Sequence, residues 1–229
     1  MDPQIQAQPK KMNMFICVCL ITMLVLMVCR YRYYHVKLIL ILPLAICIAI
    51  MGVLGTYIMF FIENGGWYGK SFFGAVLFFP ILLYPVAKIF RMPLKSLLDY
   101  AAIPGLALLG IFKWNCYQKG CCGGKAIWFT DGVPTHFPSQ LAEMAVAFLL
   151  VIILLIIERK PKFKGLVFPM LLVLYGSARY VLNFYRWEQQ PFLLGMTAGN
   201  FWALIAVCIG TAWIFVSMYR QKFQGKNPN

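Results

Sequence analysis

Long apolar runs separated by short polar stretches dominate the chain, and their lengths predict helices that cross a membrane. Phe15 to Cys29 follows Lys10 and Lys11. It is succeeded by Leu38 to Ile62, Ser71 to Val86, Leu97 to Phe112, Leu141 to Ile157, Leu166 to Phe184 and Phe201 to Tyr219. Each approaches the roughly 20 residues that span the hydrocarbon of a bilayer. The expectation is an all-α integral membrane protein of about seven transmembrane helices, forming a single transmembrane domain over 1–229. No small-residue cleavage site follows the first run, and Val28 before Cys29 does not suit a lipid-attachment site, so an uncleaved helix is expected there.

One stretch breaks the pattern. From Lys113 to Glu143 the sequence is neither an apolar run nor a short basic hinge, and it holds three cysteines, a histidine and four glycines. Candidate chemistry is expected here, supported by the apolar helices around it.

Composition agrees with the pattern: 62% of the 229 residues are hydrophobic and only 12% are charged, too little polar surface to cover a soluble globule. The net charge of +14 falls in short clusters between apolar runs, so nucleic acid is not an expected partner. Lys and Arg instead report orientation. Alternate connections hold thirteen of them, around Arg30 to Lys37, Lys88 to Lys95, Arg159 to Lys164 and Arg220 to Lys226. The other set, with the N-terminus, holds seven. The richer set is expected in the cytoplasm, with the N-terminus outside and the C-terminus inside. The loops 63–70, 113–140 and 186–200 then face outward.

Polar residues inside the runs carry the chemistry. Arg179 within the sixth span is expensive in lipid, about 2.5–3.5 kcal/mol on insertion scales. Tyr175, Arg179 and Asn183 share one helix face at i, i+4, i+8, with Arg186 beyond. His136, Gln140 and Glu143 enter the fifth span, and Pro138 marks its start, leaving His136 just before it. Two readings follow. In the first, Glu143 and Arg179 form a buried ion pair that fixes packing. In the second, Arg179, Lys113 and Arg186 form a cationic site for an anion such as a phospholipid phosphate, to which a guanidinium binds bidentately. Asp99 is expected to be a structural cap.

Five cysteines lie singly in apolar runs as small hydrophobes. Cys116, Cys121 and Cys122 stand apart, and three readings remain for them: packing of small residues against a turn, a disulfide, or chemistry. Their spacing matches no zinc framework, and no metal or cofactor is expected. Gly120, Gly123 and Gly124 permit close backbone approach.

The segments GCCGG at 120–124, HFPSQLAE at 136–143, YGSARYVLNFYR at 175–186 and MTAGN at 196–200, in that order, resemble the prolipoprotein diacylglyceryl transferases of bacteria. The similarity runs from about Gly52 to Asn200, with residues 1–37 poorly matched, and takes in GKSFFGA at 69–75 and LDYAAIP at 98–104. The resemblance implies seven spans around an outward-facing lipid cavity in the bacterial cytoplasmic membrane. The implied reaction moves diacylglyceryl from phosphatidylglycerol to the lipobox cysteine thiol of prolipoproteins, so membrane lipid and prolipoprotein signal peptides are the implied partners. It further implies catalytic roles for Tyr175, His136 and Arg179, and substrate contacts from Lys113, Gln140, Glu143, Arg179, Asn183, Arg186, Gly120, Gly124, Ser71 and Gly74. The chain departs from the family at Lys113, where an arginine is expected, at Phe73, where a histidine is expected, and at Asn183, where a glutamate is expected. A lipid- or precursor-binding member without turnover is the alternative. A permease fits less well, because the sequence shows no inverted repeats and gathers its polar groups at one face.

Overall fold

The computed structural model describes residues 8–69, 71–121, 123–130, 133–187 and 191–224. Lys70, Cys122 and Asp131 lie outside the described residues. In chain order, the helices are α1 (Gln8–Arg30), α2 (Ile41–Asn64), α3 (Phe72–Leu77), α4 (Phe79–Ile89), α5 (Leu94–Gln118), α6 (Ser139–Glu158), α7 (Val167–Asn183) and α8 (Ala198–Gln224). Among the described residues, four helical segments are long and apolar enough to cross a membrane: Leu38–Asn64, Leu94–Gln118, Ser139–Glu158 and Ala198–Arg220. The shorter apolar helices are Met14–Arg30, Phe79–Ile89 and Val167–Asn183. Their outward faces carry exposed Ile, Leu, Val and Phe side chains such as Ile39, Ile81, Ile152 and Phe215. Apolar patches so extensive mark a surface that meets lipid rather than water.

One expectation needs correction. The run from Ser71 to Val86 is not one helix: α3 ends at Leu77, and α4 restarts at Phe79 with Pro80 in its first turn. Pro80 has no N–H to offer the carbonyl four residues back, and its ring crowds that carbonyl, so the ladder breaks there. The chain is mostly helical, as expected, with two short hairpins between helices. The polar stretch before α6 forms an antiparallel hairpin of β1 (Ala126–Thr130) and β2 (Val133–His136), and β3 (Pro191–Leu193) pairs with β4 (Met196–Thr197) ahead of α8. Outside the apolar runs these segments need backbone partners of their own, and hairpins supply them locally.

The most enclosed of the long helices is α5, where Leu97, Tyr100, Ala101, Ile103 and Leu106 are buried. Small residues bring its neighbours together. A Cβ on Gly74 would overlap the carbonyl oxygen of Gly55, so α2 and α3 touch through their backbones, and a Cβ on Gly210 would come within 2.7 Å of Pro169 O in the α7–α8 contact. Such small-residue seams let apolar helices pack by van der Waals contact where no hydrophobic effect drives them.

At the end of the bundle holding the α1–α2 turn, Arg30 departs from its expected place among loop charges. It is buried, its Nε donates to Glu158 Oε2 at 2.9 Å, and its Nη2 donates to Glu158 Oε1 at 2.6 Å and to Asp99 O at 2.9 Å. Its Nη1 donates to Tyr100 O at 2.7 Å, and Tyr34 lies under the guanidinium. Burial holds the Tyr34 phenol protonated well above its ordinary range. The arginine thus ties α1 to the start of α5 and the end of α6. Asp99 caps α7, accepting from Phe168 N at 2.8 Å, as expected of a structural carboxylate.

Candidate functional site

The opposite ends of α5, α6 and α7 converge on one carboxylate. Helix α5 continues to Gln118, so Lys113 lies inside it rather than opening a loop, and its side chain is buried. Helix α6 begins at Ser139 with Pro138 preceding it, as the proline predicts, which places Glu143 in its second turn. Lys113 Nζ is 2.5 Å from Glu143 Oε2. Arg179 Nη1 donates to Oε1 of the same carboxylate, and Arg186 Nη1 stands 3.6 Å from that oxygen, a charge neighbour beyond hydrogen-bond range.

Among the described residues, three cations around one carboxylate leave two positive charges uncompensated. Arg179 pairs with Glu143, as the first reading of it expects, and Lys113 and Arg186 share the same carboxylate. A low-dielectric surrounding strengthens the demand for a further anion. Access is graded, since the Lys113 and Glu143 side chains are each 3% exposed whereas Arg179 and Arg186 are 11% and 13% exposed. The two guanidiniums are the more accessible groups of the cluster, and a planar fork is a shape that can bind two oxygens of an anion.

Around this centre the other predicted residues take distinct places. Tyr175, one turn before Arg179, is buried, and its ring lies 6.1 Å from that of Phe73. Gln140 Nε2 donates to Cys121 O and so pins the glycine-rich loop to the first turn of α6. Asn183 Nδ2 donates to Thr197 Oγ1 at 2.7 Å, linking the end of α7 to the start of α8. Ser71 precedes α3, and its hydroxyl donates to Glu63 Oε1 at 2.9 Å. Gly74 makes the α2 contact described above.

His136 is not among the residues touching Glu143. It ends β2 with Nδ1 3.1 Å from Gly124 O, and its ring stacks on Trp187 at 5.3 Å. Gly124 is a junction: it donates to Phe137 O at 3.0 Å and bridges to Arg186. A Cβ there would crowd Phe137 O and stand 2.8 Å from Tyr185 O. Glycine is required for the hairpin and the Arg186 segment to meet. Gly120 takes the left-handed φ of +65° that turns the chain after α5. Cys121 Sγ donates to Cys116 O at 3.4 Å, a local contact within that turn, while Cys122 lies outside the described residues.

Two participants were not legible beforehand. Phe72 offers its ring to Lys113 Nζ at 5.0 Å, a cation–π contact. Glu63, at the end of α2, carries the Ser71 bond, and only its acidity at the start of the 63–70 loop hinted at it.

Residues 8–216 match the family model described as prolipoprotein diacylglyceryl transferase, a range that includes the motif-bearing stretch 52–200. A protein of Clostridium tetani (strain Massachusetts / E88) named phosphatidylglycerol–prolipoprotein diacylglyceryl transferase is 26% identical over 166 residues, covering 67% of this chain and 66% of that protein. Proteins of the same name from Idiomarina loihiensis and Campylobacter lari are each 30% identical, covering 72% and 66% of this chain. The matched regions span 66%, 64% and 58% of these three relatives' own lengths. With most of its length, and every element that builds the Glu143 cluster, inside that match, the chain belongs to the prolipoprotein diacylglyceryl transferase family.

Proposed function

We propose that this protein transfers the diacylglyceryl group of phosphatidylglycerol to the lipobox cysteine of a prolipoprotein signal peptide. The observation that carries the reading is the Glu143 carboxylate shared by Lys113, Arg179 and Arg186, whose surplus positive charge suits a lipid phosphate. In the reaction the acceptor sulfur forms a bond to the glycerol carbon that bears the phosphate. The C–O bond breaks, and its electron pair leaves with glycerol phosphate. Charge grows on the phosphate oxygens as that bond lengthens, so preset guanidiniums stabilise the transition state more than the ground state. A thiol with an ordinary pKa of about 8.5 needs only modest activation.

In this reading Arg179 and Arg186 hold the phosphate, and Lys113 fixes Glu143 from below so that the carboxylate does not cancel both guanidiniums. Tyr175 shapes the wall near the reacting carbon. His136, Gln140, Gly120 and Gly124 build the outer rim through the hairpin, and Asn183, Ser71 and Gly74 set the neighbouring helix ends. The chain crosses the bacterial cytoplasmic membrane seven times with its N-terminus outside, so that the cluster opens on an outward-facing lipid cavity. The excess of Lys and Arg in the opposite set of connections supports that orientation.

Membranes containing the protein, supplied with labelled phosphatidylglycerol and a lipobox peptide, should yield thioether-linked diacylglyceryl peptide and free glycerol phosphate. Lipid binding without either product would replace the transferase reading with that of a binding protein.

A further inference from the structure

Phe73 has no proton to give or take, and its ring is occupied against Tyr175. The group that accepts the acceptor thiol's proton must therefore lie elsewhere. The described residues contain four carboxylates: Glu63, Asp99, Glu143 and Glu158. Asp99 caps α7 and Glu158 is held by Arg30, both at the far end of the bundle, while Glu143 is surrounded by cations. Glu63 differs from all three. It is half-buried, it accepts a hydroxyl bond from Ser71 at 2.9 Å, and no ion pair joins it to a cation among the described residues.

Its place is joined to the cationic cluster through Ser71, the chain neighbour of Phe72 and Phe73. Gly65 adopts a left-handed φ of +69° and ends α2, and the chain folds back until Ser71 N donates to Thr56 O at 3.0 Å. The two residues after Ser71 point to the site from one helical turn: Phe72 meets Lys113 Nζ at 5.0 Å, and Phe73 meets Tyr175 at 6.1 Å. Ser71 thus holds Glu63 while the two residues that follow it touch Lys113 and Tyr175.

On the transferase reading above, we propose that Glu63 is the general base of this chain and that Ser71 is the positioning residue that orients its carboxylate. As the sulfur bonds to the glycerol carbon, the S–H proton passes to Glu63, and the C–O electron pair departs with the phosphate held by the guanidiniums. The proton on Glu63 then passes to the departing glycerol phosphate or to water, which restores the carboxylate. A positioned base of this kind contributes about 10²- to 10⁴-fold.

The test pairs Glu63→Gln, whose amide oxygen still accepts from Ser71, with two lipobox peptides, one bearing cysteine and one bearing selenocysteine. A selenol is ionised at neutral pH and needs no base. In phosphatidylglycerol membranes the cysteine peptide should lose about 100-fold or more in turnover. The selenocysteine peptide should stay within about threefold of the parent, and lipid-induced thermal stabilisation should persist. Turnover of the cysteine peptide near the parent rate overturns the assignment and leaves the transferase reading standing, and equal loss with both peptides overturns it in favour of a structural role. If the parent protein makes no thioether from either peptide, the transferase reading fails and the base falls with it. Should Glu63→Gln not insert, Ser71→Ala decides: a drop of about tenfold confined to the cysteine peptide supports the proposal, and none refutes it.

Discussion

Lys113 Nζ lies 2.5 Å from Oε2 of Glu143, on the carboxylate oxygen opposite the one that accepts from Arg179. The lysine therefore takes one side of Glu143 and leaves the guanidiniums on the other. This division predicts that loss of Arg179 and loss of Glu143 have different consequences, although the two side chains touch.

Arg179→Ala leaves Glu143 paired with Lys113, so the lipid-free protein in detergent should melt close to the parent. Turnover should fall by about 100-fold or more, the scale of losing one preset donor to a developing oxyanion. Stabilisation by added phosphatidylglycerol should disappear. Arg179→Lys should fail nearly as badly, because an ammonium cannot grip two oxygens as a planar fork does. Melting curves with and without the lipid check both variants, and full lipid stabilisation in Arg179→Ala would remove the phosphate-binding role.

Glu143→Gln should behave in the opposite way. It leaves Lys113, Arg179 and Arg186 facing one another in a poorly solvated site, at a cost of about 3–5 kcal/mol for uncompensated buried charge. The empty protein should melt well below the parent, and phosphatidylglycerol should restore more stability to it than to the parent, since the lipid phosphate replaces the lost carboxylate. Thermal shift against lipid concentration measures this, and a melting point equal to the parent's would contradict the charge argument.

The Arg30–Glu158 pair offers a stability test remote from the site. Arg30→Met strands the Glu158 carboxylate and should cost about 3–5 kcal/mol, whereas Arg30→Met combined with Glu158→Leu should recover a good part of it. Neither change touches the Glu143 cluster, so turnover per folded molecule should hold. Chemical denaturation and an activity assay on the same preparations give the two readouts.

Orientation can be tested by labelling. A cysteine placed at exposed Phe129 in β1, in a background lacking Cys116, Cys121 and Cys122, should react with a membrane-impermeant thiol reagent in intact cells, and one placed at Lys162 should not. The reverse pattern overturns the topology. The background protein should itself keep turnover within about tenfold, a barrier change of about 1.4 kcal/mol, because the Cys121 thiol makes only a local contact with Cys116 O.

What the sequence determined by itself was local in origin. An apolar run sets a membrane helix because each stretch must satisfy its own backbone in lipid. Pro138 marked the start of α6, and the spacing of Tyr175, Arg179 and Asn183 placed them on one face of α7. The pairing of Glu143 with Arg179 was legible because each was a charge that lipid would not accept alone. Contacts across the bundle were decided only by tertiary structure. Arg30 looked like a loop charge until α6 brought Glu158 to it, 128 residues away. Lys113 looked like the opening of a loop until α5 continued past it, and the break at Pro80 turned an expected span into two helices. Glu63 gained its place because Gly65 folded the chain back to Ser71 and the Gly55–Gly74 seam seated α3 beside Lys113 and Tyr175. Periodicity states which face a residue occupies, but which other face it meets depends on how the helices pack, and small residues distant in sequence set that packing.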